Sequence, residues 1–436
     1  MAESFGEQYK IKELELKSSN ISLTKTYIEK MEHSFFSQFL TGSNPWMARY
    51  VYSLFFLVMN VLAWAIRDNG HEFLKEMQRL KDCNGGLNCL GTEGVLRVSL
   101  GCFIHFNLDK IFYFTMFLST AGSTKLHEPR DSWHSGWWFA KIFLSIGFMV
   151  VPFFIPNTFI AVYGEVAHFG AGVFLLIQLI SIISFIMWLD DCCRSDKYSE
   201  RCYIQVTILS LAAYVACIAG VILMYICYAP RLSCVLNIFF ITLTLVILHL
   251  MTSVSLHPKI NAGFLTPGLM GLYVVFICWC ALRSEPPTDG CNKNLVLHTV
   301  RNATEKDEAS QKADWLTIIS FVIAVLAMVI ATFSTGIDSK SFQFRKDEAR
   351  SEDDVPYGYG FFHFVFAMGA MYFAMLLIGW NTHHTMKKWT IDVGWTSSWV
   401  RIVNEWLAAC LYSEYLSQTS IINHKIINLL LIAPAF

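Results

Sequence analysis

The chain has 436 residues, of which 54% are hydrophobic and only 15% are charged, and its formal net charge is −1. Soluble domains carry about a quarter charged residues, so the composition excludes a soluble globular protein. The near-zero net charge supplies no basic field, so no nucleic-acid partner is expected. A mean hydropathy of +0.44 instead predicts an all-α, polytopic membrane protein.

A membrane-spanning helix needs about 20 apolar residues, because the hydrocarbon core is about 30 Å thick and a helix rises about 1.5 Å per residue. We therefore expect about ten transmembrane helices, of which the second and the last are the least apolar. In chain order the runs are Met47–Ile66, Val95–Leu118, Trp137–Phe154, Ile160–Leu189, Ile204–Tyr228, Val235–Val254, Gly263–Leu282, Trp315–Phe333, Gly360–Trp380 and Trp395–Tyr412.

These runs divide the chain into three parts. A polar, cytosolic N-terminal segment (1–45) precedes a transmembrane region (46–412), which is followed by an atypical C-terminal tail (413–436). The fourth run is the longest, and as a continuous helix it would be about 45 Å long. Since this exceeds the thickness of the hydrocarbon core, we expect a long, steeply tilted fourth helix.

The orientation is predicted from the loops, because the balance of Lys and Arg does not decide it. Asn302 begins an Asn-Ala-Thr sequon, which accepts a glycan only on the lumenal or extracellular side. The same side would hold four cysteines that an oxidising compartment could pair, namely Cys83, Cys89, Cys234 and Cys291. We therefore expect both termini to be cytosolic and the protein to be a glycoprotein.

Three ionisable residues in the third and fourth runs are candidate ligand-binding residues, because charges inside a membrane are costly unless they are paired. Glu165 and His168 are three residues apart and share a helix face. A tight turn at Ile155–Asn157 would bring Lys141 within reach of Glu165. The hypothesis is a Lys141–Glu165 pair that lines a polar pocket, and the alternative is a buried pair that only joins two helices.

Arg401 and Glu405 are four residues apart in the last run, and this spacing favours a structural ion pair along one helix face. The pair His383-His384 has no further ligand at a suitable spacing, so no metal site is predicted. The sequence contains no HExxH, no GxSxG and no phosphate-binding glycine-rich loop. Neither an enzyme nor a cofactor is expected.

Five segments together resemble the serine incorporator family, and Trp395–Tyr412 resembles its plant branch in particular. They are Cys89–Gly101, Asp131–Lys141, Ser255–Gly268, Ala281–Asn292 and Asp354–Trp380. The resemblance implies helical subdomains around a long diagonal fourth helix. It also implies a role with serine-derived lipids, either delivery of serine to phosphatidylserine and sphingolipid synthesis or movement of lipids between leaflets.

The leading functional hypothesis is a lipid-linked, non-enzymatic carrier, with serine and membrane lipids as partners. The alternatives are a lipid scramblase and an ion-coupled transporter of a small solute. Against the transporter, the sequence shows no inverted repeat and no paired glycine-broken helices. Either the endoplasmic reticulum or the plasma membrane would suit this role, and homo-oligomerisation is left open.

Overall fold

The computed structural model describes the chain in several stretches. They are residues 45–69, 87–103, 112–123, 125–126, 128–194, 200–258, 260, 263–286, 291, 309–337, 354–381 and 390–432. Within them, the only β-structure is a single isolated bridge between Lys125 and Asp354. The expected all-α architecture is confirmed.

Twelve α-helices lie within the described stretches. In chain order they are α1 (Pro45–Asn69), α2 (Leu87–Phe103), α3 (Phe112–Thr120), α4 (Pro129–Ser135), α5 (Trp138–Val150), α6 (Asn157–Arg194), α7 (Glu200–Tyr228), α8 (Val235–Ser255), α9 (Leu265–Arg283), α10 (Ala309–Ile337), α11 (Tyr359–Ile378) and α12 (Trp395–Ile432). A short 3₁₀ turn, Val151–Phe154, follows α5.

Six of these helices are long and apolar enough to cross a membrane, namely α1, α6, α7, α8, α9 and α11. The number rises to seven if α4 and α5 with the following turn, which are bent by 68° relative to each other, form one broken span. The expected count of about ten is therefore not reached by these helices. The second apolar run is divided between α2 and α3, and its polar stretch His105–Lys110 lies outside the described residues.

The fourth apolar run forms α6, whose 38 residues make it about 57 Å long. Its first half packs into one hydrophobic core with α1, α2, α3, α10 and α11, through residues such as Ile160 and Phe174. Its second half packs through Leu179 and Ile183 into another core with α8, α9 and α12. The helix therefore joins a first bundle (α1–α5, α10 and α11) to a second bundle (α7–α9 and α12).

Helix α11 forms the centre of the first bundle. Seventeen of its 20 residues are buried, as expected for a helix that is apolar on all sides. It ends at Gly379, whose φ of 61° is left-handed. Arg67 of α1 donates a hydrogen bond of 2.8 Å to the Leu377 carbonyl, and the Asp392 amide donates one of 2.8 Å to the Leu376 carbonyl. The ends of α1 and α11 and the segment before α12 therefore lie at one level.

The last helix is longer than its apolar run. α12 begins at Trp395 as expected, but it continues through the predicted tail to Ile432. A run of polar residues such as Glu414 and Gln418 does not end a helix, because an exposed helix face tolerates polar side chains. The proposed division at residue 413 is therefore not a boundary of secondary structure.

Candidate functional site

A sharp bend between α4 and α5 holds the buried Lys141. Trp137 at the bend has a left-handed φ of 59°, which leaves carbonyls at the end of α4 without helical partners. Lys141 Nζ donates to two of them, His134 O at 2.9 Å and Gly136 O at 2.6 Å. It also lies 4.4 Å from the centre of the Trp138 ring, within cation–π range. The ammonium is thus held by carbonyl oxygens and an aromatic face.

Two imidazoles join this bend to the central helix. His134 Nδ1 lies 3.0 Å from His363 Nε2 of α11, and His134 Nε2 lies 2.9 Å from the Tyr357 hydroxyl. Both rings are fully buried. Tyr52 of α1 donates to His134 O at 3.0 Å, so the His134 residue contacts α1 and α11 together.

The hydrogen bonds define which ring nitrogens carry protons. Burial raises the pKa of the Tyr357 phenol above its usual range, so the hydroxyl keeps its proton and donates it to Pro45 O at 3.1 Å. His134 Nε2 is then the donor to Tyr357, and His134 Nδ1 accepts from His363 Nε2. His363 Nδ1 is left as a buried acceptor without a hydrogen-bond partner among the described residues.

A second contact ties α4 to α11 beside the histidines. The Tyr359 hydroxyl donates to Asp131 Oδ1 at 2.7 Å, and the Tyr359 ring stacks on His134 with centroids 3.9 Å apart. We call Asp131, His134, Lys141, Tyr357, Tyr359 and His363 the bend cluster. Its members bond to one another and to backbone carbonyls, which ties α4 and α5 to α1 and α11. The bend cluster therefore positions helices.

The expected ion pair between Lys141 and Glu165 is not formed. Lys141 is fully buried on the carbonyls of the bend, whereas Glu165 is exposed on α6. The turn at 155–157 lies where the sequence suggested, but α2 packs against both α5 and α6. Counting residues from the turn gave the positions of Lys141 and Glu165 along their helices. It did not give the rotation of α5 and α6 about their axes, which is set by packing against α2.

Arg97 of α2, which was not among the residues predicted from the sequence, fixes the α5–α6 turn. Its guanidinium is fully buried, pairs with Glu93 and donates to Pro152 O, Ile155 O and Asn157 Oδ1. Arg97 lies within Cys89–Gly101, one of the segments that resemble the family, but the resemblance did not indicate what this side chain contacts. A lone Arg in an apolar run indicates a buried structural contact of this kind.

Glu165 and His168 remain together on α6, at the surface of the first bundle. The exposed face around Glu165 is apolar, with Val162 60% and Phe169 76% exposed. His168 is half-buried, with Nδ1 2.8 Å from Gly164 O and Nε2 3.2 Å from Trp380 O. Both contacts are hydrogen bonds at once only when the ring carries a proton on each nitrogen, because carbonyls only accept.

The depth of this patch follows from Trp380. That residue lies two positions beyond the end of α11, and Glu165 is one turn of α6 from His168. The Glu165–His168 patch therefore lies near the level at which α11 ends. It combines an exposed carboxylate with a neighbouring imidazole whose two nitrogens each lie within hydrogen-bond distance of a backbone carbonyl.

The predicted Arg401–Glu405 pair is also not formed. Arg401 pairs with Asp392, which precedes α12, and Glu405 accepts a hydrogen bond of 2.7 Å from Thr244 of α8. Spacing alone favoured the pair along the helix. The turn before α12 brings a competing carboxylate to Arg401, and this tertiary contact replaces the local one.

Cys234 and Cys291 form a disulfide that joins the start of α8 to the segment after α9. This is one of the pairings that the sequence left open. Cys83 and Asn302 lie outside the described residues, and for Cys89 the structure gives only its position in α2. Among the described residues, no group of three or more His, Cys, Asp or Glu could hold a metal ion.

Comparison with known proteins decides the family. The model of the serine incorporator (Serinc) family matches residues 26–353 and 338–423 of the chain. The chain belongs to the serine incorporator family. It is accordingly a multi-pass membrane protein, as its apolar helices indicate.

Individual serine incorporators are also similar to this chain over most of its length. A probable serine incorporator from Dictyostelium discoideum is 28% identical over 353 residues, which cover 77% of this chain and 81% of the relative. Serine incorporator 2 of Bos taurus is 26% identical over 367 residues, covering 75% and 78%. Serine incorporator 3 of Mus musculus is 25% identical over 386 residues, covering 76% and 78%.

Two histidines of the bend cluster were missed by sequence reasoning. His134 and His363 lie inside Asp131–Lys141 and Asp354–Trp380, two of the segments that resemble serine incorporators. His363 lies within the ninth apolar run, where a histidine is a signal for a buried polar contact, whereas His134 precedes the third run and gave no such signal. The partner of His363 could not be inferred, because the two residues are separated by more than half of the chain.

Proposed function

We propose that this serine incorporator facilitates the incorporation of serine into phosphatidylserine and sphingolipids as a lipid-linked, non-enzymatic carrier. The observation that carries the proposal is the exposed carboxylate of Glu165 on the apolar surface of α6. The membership of the chain in the serine incorporator family supports the same role.

A carboxylate on a lipid-facing surface is costly unless a cation or a hydrogen-bond donor meets it. Lys141 does not serve this purpose, since its ammonium is bound to His134 O and Gly136 O. At the level where α11 ends, the available donors are lipid headgroups and small solutes at the interface. Glu165 is therefore placed to receive an ammonium group.

The neighbouring His168 makes the patch suited to a zwitterion. Serine and the phosphatidylserine headgroup each carry an ammonium and a carboxylate. The ligand's ammonium would donate a charge-assisted hydrogen bond to Glu165, and the His168 imidazole would lie beside the ligand's carboxylate. We therefore propose Glu165 and His168 as ligand-binding residues, with Lys141 as a positioning residue in the bend cluster.

The test uses cells that express the full chain and are fed labelled serine. The expected result is more label in phosphatidylserine and sphingolipids without a larger aqueous serine pool, and a several-fold loss of this gain in Glu165→Gln. Glu414→Gln, which changes an exposed carboxylate on α12, is the matched control and should behave as the wild type. Wild-type labelling in Glu165→Gln would overturn the site, and no gain from the wild-type chain would overturn the function.

A lipid scramblase is the second candidate, and Gly172 favours it. A Cβ at Gly172 would meet no atom within 4 Å, and the residue lies two turns beyond Glu165 on the same side of α6. A polar headgroup leaving Glu165 would meet little steric hindrance there. Fluorescent lipid in reconstituted vesicles tests this candidate, because scrambling exposes inner-leaflet lipid to a reductant added outside. An ion-coupled transporter, in contrast, would lose serine uptake when the ion gradient is collapsed.

We further propose that both termini are cytosolic and that the segment after α9 faces the lumen or the exterior. The Cys234–Cys291 disulfide supports this orientation, because such bonds persist in oxidising compartments. Glycosidase treatment tests it through Asn302. A faster-migrating band after treatment is expected, whereas unchanged mobility in both the wild type and Asn302→Gln would remove the support from the sequon.

A further inference from the structure

Glu405 is a buried carboxylate that has no cationic partner among the described residues. It is 1% exposed, and its Oε1 accepts from Thr244 Oγ1 at 2.7 Å. Its other oxygen, Oε2, has no hydrogen-bond partner among the described residues. The cation expected to neutralise it, Arg401, is paired with Asp392. A single uncompensated carboxylate inside a membrane bundle costs several kcal/mol, so it must gain a proton or another cation.

Unpartnered oxygens lead along α12 to this carboxylate. Ten buried side-chain atoms of the described residues lack a hydrogen-bond partner, and four of them fall between residues 392 and 405. They are Asp392 Oδ1, Ser397 Oγ, Asn404 Oδ1 and Glu405 Oε2. All four belong to residues that are more than nine-tenths buried. Buried oxygens of this kind are commonly satisfied by ordered water.

Three of these oxygens belong to residues on one side of α12. Ser397, Asn404 and Glu405 lie within roughly 100° of one another around the helix axis, and about 12 Å separates the first from the last. The fourth belongs to Asp392, whose backbone amide binds Leu376 O near the end of α11. The four oxygens therefore extend from the level at which α11 ends into the core of the second bundle.

The residues that face Glu405 do not offer a competing charge. Thr244 comes from α8, and the Cys278 thiol of α9 is close enough to interact electrostatically with the carboxylate. Glu285, which follows α9, accepts a hydrogen bond from Asn237 and interacts electrostatically with Cys278. Asp190 of α6 interacts electrostatically with Tyr412, which lies two turns beyond Glu405 on α12. Helix α7 contributes to the adjoining core through Cys217, Met224 and Tyr228.

We propose that Glu405 is a proton-binding site in the second bundle, reached from the Asp392 end of α12 along these unpartnered oxygens. A proton suits the site better than a metal ion, because Mg²⁺ or Ca²⁺ takes about six or more oxygen ligands and, among the described residues, Thr244 is the one hydrogen-bond partner of the carboxylate. This proposal does not depend on the role of Glu165 or on the identity of the lipid.

The experiment uses the purified full-length chain in lipid nanodiscs and infrared difference spectra between alkaline and neutral buffer. The expected result is a protonated-carboxyl band on neutralisation that is lost in Glu405→Gln. Glu414→Gln, which changes an exposed carboxylate on the same helix, should keep the band. Thr244→Val provides a second readout, because loss of its hydrogen bond should shift the frequency of the band. A band that neither Glu405→Gln nor Thr244→Val alters would overturn the site.

The access path has its own readout, the rate at which the band shifts after transfer into heavy water. Ser397→Val and Asn404→Leu should each slow this exchange several-fold, since they replace path oxygens with apolar groups. Ser413→Val is the matched control, because the Ser413 hydroxyl bonds to Ala409 O within its own helix. Exchange at the wild-type rate in both path variants would overturn the path.

Discussion

His134 Nδ1 and His363 Nε2 lie 3.0 Å apart, and neither imidazole reaches the surface. The contact joins the α4–α5 bend to the central helix across 229 positions of sequence. Because Tyr357 fixes the proton on His134 Nε2, the His134 ring can only accept from His363.

His363→Leu should therefore lower the free energy of unfolding by about 1–3 kcal/mol, since it leaves His134 Nδ1 buried without a donor. Chemical unfolding of the purified protein, followed by circular dichroism, measures the change. His249→Leu is the matched control, because His249 is exposed on α8 and its loss should change stability by less than about 0.5 kcal/mol. Equal stability of the two variants would contradict a structural role for the His134–His363 hydrogen bond.

Lys141→Met should also destabilise the protein, by about 1–3 kcal/mol, because the buried Gly136 O loses its donor. Glu165→Gln should leave stability unchanged, since Glu165 is exposed. The same unfolding measurement separates the two residues. If Lys141→Met unfolded like the wild type while serine labelling fell, Lys141 would act on the ligand and its assignment as a positioning residue would fail.

Gly369→Ala should lower the free energy of unfolding by about 1–3 kcal/mol through overpacking. A Cβ there would lie 2.9 Å from Thr332 Cγ2 of α10 and 3.3 Å from Phe174 Cε2 of α6. Thr332 is fully buried and its β-branched side chain has little freedom to move. Gly147→Ala on α5 is the control, because a Cβ there meets nothing within 4 Å and should be neutral or slightly stabilising. Thermal unfolding compares them, and a neutral Gly369→Ala would show that α10 can move away from α11.

Cys234→Ser should lower the free energy of unfolding by about 2–4 kcal/mol, because it opens a covalent link across 57 positions of sequence. Cys410→Ser, which changes an exposed free thiol on α12, should have no effect. Unfolding with and without a reductant measures both. The prediction would be contradicted if the reductant left the free energy of unfolding of the wild type unchanged although mass spectrometry showed that the disulfide was reduced.

The local sequence accounts for much of the fold. The described residues of each expected apolar run are almost all helical, because twenty apolar residues in a membrane must satisfy their own backbone hydrogen bonds. The great length of α6 and the turn before it at Pro156 also followed from the order of residues. Spacing within a helix likewise put Glu165 and His168 on one face, where the structure has them.

Side-chain partners could not be derived in the same way. Lys141 binds carbonyls exposed by a bend that depends on the left-handed conformation of Trp137, and Arg401 turns to Asp392 instead of Glu405. His134 and His363 meet only because α11 is enclosed by the first bundle. Composition and periodicity thus determined that the chain is a helical membrane protein. The rotation of each helix about its axis, which is set by the packing of distant segments, decided which charges are paired, which are buried alone and which face lipid.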